Sequence, residues 1–203
     1  MEKNSGLHSL LSSSSVYNFF QRMIGSDATR RQVVTRFIHP RPGDRVLDIG
    51  CGTGEWYPLL GPVDYIGFDA YSPYIETARN RYPSGKFVCA RVEAGATQFW
   101  SQCDIVIAIG VLHHLSNHES SSLIEIAADA LKPGGRLITL DPCFDVRQGL
   151  ASRWIIGCDR GKNVRTVAGY QELAKSHFSK IAPTLWLNPL RIPYTYCILE
   201  CAK

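Results

Sequence analysis

Residues 46–56, Val-Leu-Asp-Ile-Gly-Cys-Gly-Thr-Gly-Glu-Trp, carry the most legible chemistry in this chain. An apolar run at 46–49, with Asp48 inside it, reads as a buried strand. It breaks into Gly50, Gly52 and Gly54, with Glu55 directly behind. Three alternate glycines strip a tight turn of side chains, so its backbone can lie flat against a ligand. A turn of this kind at the carboxyl end of a first strand cradles the nucleotide-like part of a cofactor. The dinucleotide fingerprint G-x-G-x-x-G has its third glycine one position later and seats a pyrophosphate on the next helix. Here the glycines are bracketed by Asp48 and by Glu55 at the start of the expected helix. Two carboxylates there repel phosphate and suit a cationic ligand that carries an amino group. Farther along, His113 and His114 follow a second apolar run, and imidazole has the proton affinity of a general base at neutral pH.

S-adenosylmethionine is a ligand of that description: a sulfonium, an α-amino group and an adenosine without phosphates. On its hydrophobic-Asp-hydrophobic-Gly-Cys-Gly-x-Gly segment the chain resembles the class I, Rossmann-like methyltransferases. Three further blocks carry the resemblance. Tyr65-Ile66-Gly67-Phe68-Asp69 is a short strand ending in a carboxylate. Residues 103–110 are an apolar strand followed by Val111-Leu112-His113-His114-Leu115. Leu131-Lys132-Pro133-Gly134-Gly135 is a helix end and turn that leads into a fifth strand. The family has these blocks in this order and at about these spacings, here across residues 45–142.

The resemblance implies an α/β fold: a seven-stranded, mostly parallel Rossmann-like sheet with helices on both faces and an N-terminal helical cap. Its last strand is antiparallel and inserted between the fifth and sixth. It implies a cofactor site made of Asp48, Gly50, Cys51, Gly52, Gly54, Asp69 and Ala70, with Ile109 and Gly110 beside the sulfonium. A carboxylate such as Asp69 accepts two hydrogen bonds at once, as both hydroxyls of a ribose require. The family often has an aspartate just after the third strand for the adenine amino group. Arg91 stands there instead, which leaves Glu93 or a backbone carbonyl as the acceptor.

The Leu-His-His-Leu block is similar to that of small-molecule and sugar O-methyltransferases of natural-product pathways. In some of these the first histidine, paired with an aspartate ending the fifth strand, is proposed as the base. The matching positions are His113 and Asp141, while His114 packs, caps or faces the acceptor. Residues 142–166 carry Arg147, Arg153, Arg160, Lys162 and Arg165 with Trp154 nearby, either a lid for a phosphate or carboxylate or a solvated surface. Tyr17, Phe20 and Gln21, on an N-terminal helix, close over the cofactor or pack on the sheet edge. Substrate contacts are expected from Tyr17, His114, Arg147 and Arg160.

The elements that must position these groups follow from periodicity. Apolar and aromatic residues recur at helical spacing over 7–24, and a second helix is expected over 28–38, capped by Ser26 or Asp27 and limited by Pro40. Ser72-Pro73 opens a helix with a capping hydroxyl, and Ser116-x-x-Glu119 is a capping box ahead of a helix over 118–131. After a helix over 166–177, the runs at 181–187 and 194–201 are joined without a helix, so they pair antiparallel. One domain over 1–203 is expected: helices to residue 42, a cofactor half over 43–142, then a substrate-side segment and hairpin.

A chain of 203 residues with net charge +4 does not call for nucleic acid or a membrane surface, and it has no apolar stretch of the ~20 residues a span needs. Seven cysteines without a C-x-x-C pair indicate neither a disulfide framework nor a metal site, and point to a reducing cytoplasm. The expected activity is methyl transfer from S-adenosylmethionine to a small-molecule hydroxyl, on a sugar or secondary metabolite. The alternatives are a protein that binds this cofactor without methyl transfer and a nicotinamide-dependent oxidoreductase. Oligomeric state is not legible in the sequence.

Overall fold

Runs such as Cys103–Ile109, apolar at nearly every position, cannot leave a face in water, and a computed structural model of the chain places this one inside a parallel sheet. The structure describes residues 27–91, 100–158, 161–190 and 192–203. β1 (Arg45–Ile49), β2 (Asp64–Asp69), β3 (Lys86–Cys89), β4 (Cys103–Ile109) and β5 (Leu131–Phe144) run parallel in the spatial order 3-2-1-4-5. A two-residue strand, β6 (Arg165–Thr166), pairs with the end of β5. β7 (Lys180–Leu187) and β8 (Thr195–Ala202) form the antiparallel hairpin, with β8 inserted between β5 and β7. This is the mostly parallel α/β sheet that the resemblance implies. Strand order reverses between β1 and β4, and ligands of open α/β sheets bind outside the carboxyl ends of the strands at such a point.

Helices cover both faces. They are α1 (Asp27–Val33, continued by a π-helical turn at Val34–Ile38), α2 (Ser72–Arg81), α3 (Asn117–Ala130), α4 (Leu150–Gly157) and α5 (Val167–Ala174). Neighbouring residues of a strand face opposite ways. Val46 therefore packs with Phe37, Ile38, Ile75 and Ala78 under α1 and α2, while Leu47 packs with Ile124, Ala127 and Leu173 under α3 and α5.

Three local expectations are corrected. The segment behind the glycine turn is no α-helix but a 3-10 turn, Tyr57–Leu59, with Pro58 as its second residue and ended before Gly61 at φ +75°. The Ser72 hydroxyl does not cap its helix; it donates to Glu76 Oε1 at 3.0 Å. Leu131 is already strand, paired with Cys103, and a register shift between the pairs at Cys103 and Ile105 absorbs the Pro-Gly-Gly turn. The capping box is present: Glu119 N–H donates to Ser116 Oγ, and Ser116 N–H donates to Glu119 Oε2 at 2.9 Å. The helix expected over 7–24 lies outside the described residues.

Candidate active site

β1 delivers the chain into a turn where Gly50, Gly52 and Gly54 have φ of +75°, +53° and +76°, a region L side chains rarely enter. A Cβ on Gly50 would lie 2.5 Å from Val111 Cγ2, so the loop after β4 closes directly on this turn. Gly50 and Cys51 N–H groups both donate to Phe68 O, at 2.7 and 2.9 Å. Asp69, at the end of β2, accepts from Gly52 N–H at 3.0 Å and from Tyr71 N–H at 2.9 Å. Two amides thus aim its carboxylate across the turn and leave lone pairs for a ribose. Exposed Ala70 follows it at the rim. A bare turn with a carboxylate, and no arginine or lysine hydrogen-bonded to Asp69 among the described residues, fits a nucleoside without phosphates.

Asp48 lies beneath the turn, fully buried, and its Oδ2 accepts from Tyr65 O–H at 2.8 Å. Burial pushes its carboxyl up to about 7, against the pull of the Tyr65 hydrogen bond and helped by the Asp69 charge. Burial and the Asp48 carboxylate also push the Cys51 thiol up, which keeps it protonated. Tyr65 was not singled out from sequence, although its spacing shows it: it shares a strand face with Gly67, and a Cβ there would sit 2.7 Å from its hydroxyl.

Glu55 is corrected. Its carboxylate does not wait for a cationic ligand, because Arg81 Nη1 meets Oε1 at 2.5 Å and Arg30 Nη1 meets Oε2 at 3.3 Å. It ties α1 and α2 to the segment behind the glycines.

On the other side of the switch point, Gly110 N–H donates to Leu140 O at 2.7 Å, and the 3-10 turn Leu112–His114 follows. His113 is buried, with Nδ1 2.8 Å from Asp141 Oδ1; its backbone N–H donates to the same oxygen at 3.1 Å. Asp141 is buried too, which pushes its carboxyl up, and its Oδ2 has no hydrogen-bond partner among the described residues. Asp141 as a carboxylate accepts from Nδ1–H, which favours the ring tautomer protonated at Nδ1. A Cβ on Gly110 would be 4.0 Å from His113 Cε1, so this ring sits beside the end of β4, where Ile109 and Gly110 were expected to face the sulfonium. His114 is exposed, its ring centroid 3.9 Å from that of His113.

The basic segment divides. Arg147 is exposed and bound by both nitrogens of its fork to Asp145. Arg153 lies over the Phe144 ring at 5.5 Å, and Arg165 turns inward onto the His113 turn. Lys162 is exposed on the loop that returns past His113. Arg91 is exposed just past β3. Tyr17, Glu93 and Arg160 fall outside the described residues. Among those described, no group of His, Cys, Asp and Glu is arranged to hold a metal, and no helix is long and apolar enough to cross a membrane.

Residues 25–178 match the family model described as "Methyltransferase domain". The chain is 39% identical over 100 residues to a probable tRNA methyltransferase 9B of Mus musculus, a match spanning 48% of this chain and 22% of that protein. It is 30% identical over 123 residues to the tRNA (carboxymethyluridine(34)-5-O)-methyltransferase of Saccharomyces cerevisiae, across 60% of this chain and 43% of the relative. The chain thus spans less than half the length of these relatives. The S-adenosylmethionine-dependent methyltransferase SibL, in its apo form, superposes with a TM-score of 0.73 at 17% identity, over 98% of this chain and 60% of its own. That likeness is one of fold.

Proposed function

This chain belongs to the methyltransferase-domain family, as a class I S-adenosylmethionine-dependent member, and from that premise we propose that it methylates a small-molecule hydroxyl with His113 as general base. S-adenosylmethionine supplies a methyl group activated on a positively charged sulfur. The glycine turn and Asp69 would hold the nucleoside, Asp48 beneath them would favour the cationic amino-acid end by its charge, and the end of β4 would lie toward the sulfur. With that cofactor bound, its methyl–sulfur bond would break as the acceptor oxygen takes the methyl group and S-adenosylhomocysteine leaves; His113 would take the acceptor proton and Asp141 would stabilise the imidazolium that forms.

The observation that carries this reading is the buried His113–Asp141 pair at 2.8 Å beside Gly110. A carboxylate or phosphate on the acceptor would find Lys162 on the adjoining loop, whereas Arg147 already has a partner. A sugar or secondary metabolite fits this frame. A tRNA nucleoside is the second reading, favoured by the names of the relatives alone. Transfer of labelled methyl from S-adenosylmethionine, offered separately to a small-molecule extract and to bulk tRNA, decides between them. Label in the first fraction alone supports the proposal; label in tRNA alone overturns its acceptor class.

A further inference from the structure

We propose that Arg165 is a positioning residue for His113: its guanidinium clamps the turn that carries the imidazole and so sets which ring nitrogen faces the acceptor. This rests on the reading of His113 as base. Within the 3-10 turn His114 N–H donates to Val111 O at 3.0 Å and Leu115 N–H to Leu112 O at 3.2 Å, and Ser120 Oγ reaches Leu112 O and Leu115 O only at 3.4 Å, so the shorter side-chain donors to these carbonyls come from elsewhere. Arg165 supplies them from the first residue of β6. Its Nη1 donates to Leu112 O at 2.8 Å and to Asn163 O at 3.0 Å. Its Nη2 donates to Leu115 O at 2.8 Å, and Nη2 and Nε both donate to Asn117 Oδ1, at 2.9 and 3.0 Å. The carbonyls on either side of His113 and His114 thus converge on one planar fork. A lysine, a single point with three donors, cannot meet acceptors spread this way.

The same loop touches the ring itself. Asn163 N–H donates to His113 O at 3.0 Å, and Gly161 lies so close that a Cβ there would fall 2.0 Å from His113 Cδ2. Asp141 fixes Nδ1, Gly161 closes one side of the imidazole, and Arg165 joins that loop to the turn. Without the clamp the turn relaxes and the bond to Asp141 loosens. Both neutral tautomers then appear, and Nε2 no longer faces the acceptor.

Histidine-labelled protein read by long-range 1H–15N NMR tests this without an acceptor. The wild type is expected to show His113 as one neutral tautomer, protonated at Nδ1. Arg165→Lys should give a tautomer mixture, and Asn117→Ala, which removes the anchor of the guanidinium, a smaller change in the same direction. Affinity for S-adenosylhomocysteine should stay within about threefold, and with an acceptor identified by the labelling experiment kcat should fall on the order of 10²-fold, the scale of a 1 Å misplacement. If Arg165→Lys does not fold, Asn117→Ala decides alone. A wild-type tautomer in the folded variants overturns the inference and leaves the base reading standing. Full turnover by His113→Asn would sink the base reading and leave the tautomer result intact.

Discussion

Asp48 shows how a single buried carboxyl ties stability to pH. Its folded value of about 7 lies above the ordinary 3.8, so the folded protein holds a proton that the unfolded chain releases. The sign follows: this group favours the folded state most below about pH 4, loses that contribution as pH rises toward 7, and is level above it. Asp48→Asn is expected to flatten the stability profile between those limits and to raise Tm above pH 7. Thermal unfolding of both proteins across that range checks it, and parallel profiles would contradict it. Asp48, Asp69 and the glycines stand out in the sequence because each is chemically odd in an apolar strand or turn, and the structure gathers them at one turn. Tyr65 does not stand out, because a tyrosine in a strand looks like packing until Gly67 is seen to make room for its hydroxyl. The sequence leaves Arg165 between an anion-binding lid and a solvated surface, since it does not show which carbonyls a folded turn presents to a guanidinium.

Between elements, the ion pairs at Glu55 tie two helices to the segment behind the glycine turn. Arg30 on α1, with a side chain only 11% exposed, and Arg81 on α2 share one carboxylate. Glu55→Gln would leave two guanidiniums facing each other around a neutral amide. It is expected to cost about 2 kcal/mol, or a Tm lower by about 4–8 °C for a domain of this size. Differential scanning calorimetry measures this, and an unchanged Tm would show that the pairs contribute nothing. Strands and helices with strong periodicity were legible to within a few residues, as at β4, α3 and the terminal hairpin. The 3-10 turn at Tyr57–Leu59 was not, because Pro58 and Gly61 act against a helix that the family pattern suggests.

At the scale of the molecule, the sheet brings together residues from four strand ends, β1 and β2 on one side of the switch point and β4 and β5 on the other. A nucleoside held between them cross-links the halves and stabilises only the folded state. S-adenosylhomocysteine at about a hundred times its Kd should add about 2.7 kcal/mol, or raise Tm by about 5–11 °C. NADH at the same concentration should not, and Asp69→Ala should abolish the effect. A Tm rise with NADH alone would reverse the reading of the turn. The parallel sheet with helices on both faces was legible because apolar runs alternate with helices, whereas the place of the last strand followed from the family resemblance. Which side chains meet across its carboxyl edge depended on loops that carry little periodicity.

The claim on which the chemistry stands is that His113, held by Asp141, removes the acceptor proton. Once labelling has identified an acceptor, the rate of methyl transfer by His113→Asn, measured beside its affinity for S-adenosylhomocysteine, tests that claim most directly. The prediction is a kcat lowered on the order of 10²–10⁴-fold, the range for losing a general base, with cofactor affinity held. Wild-type turnover by His113→Asn at unchanged affinity would contradict it.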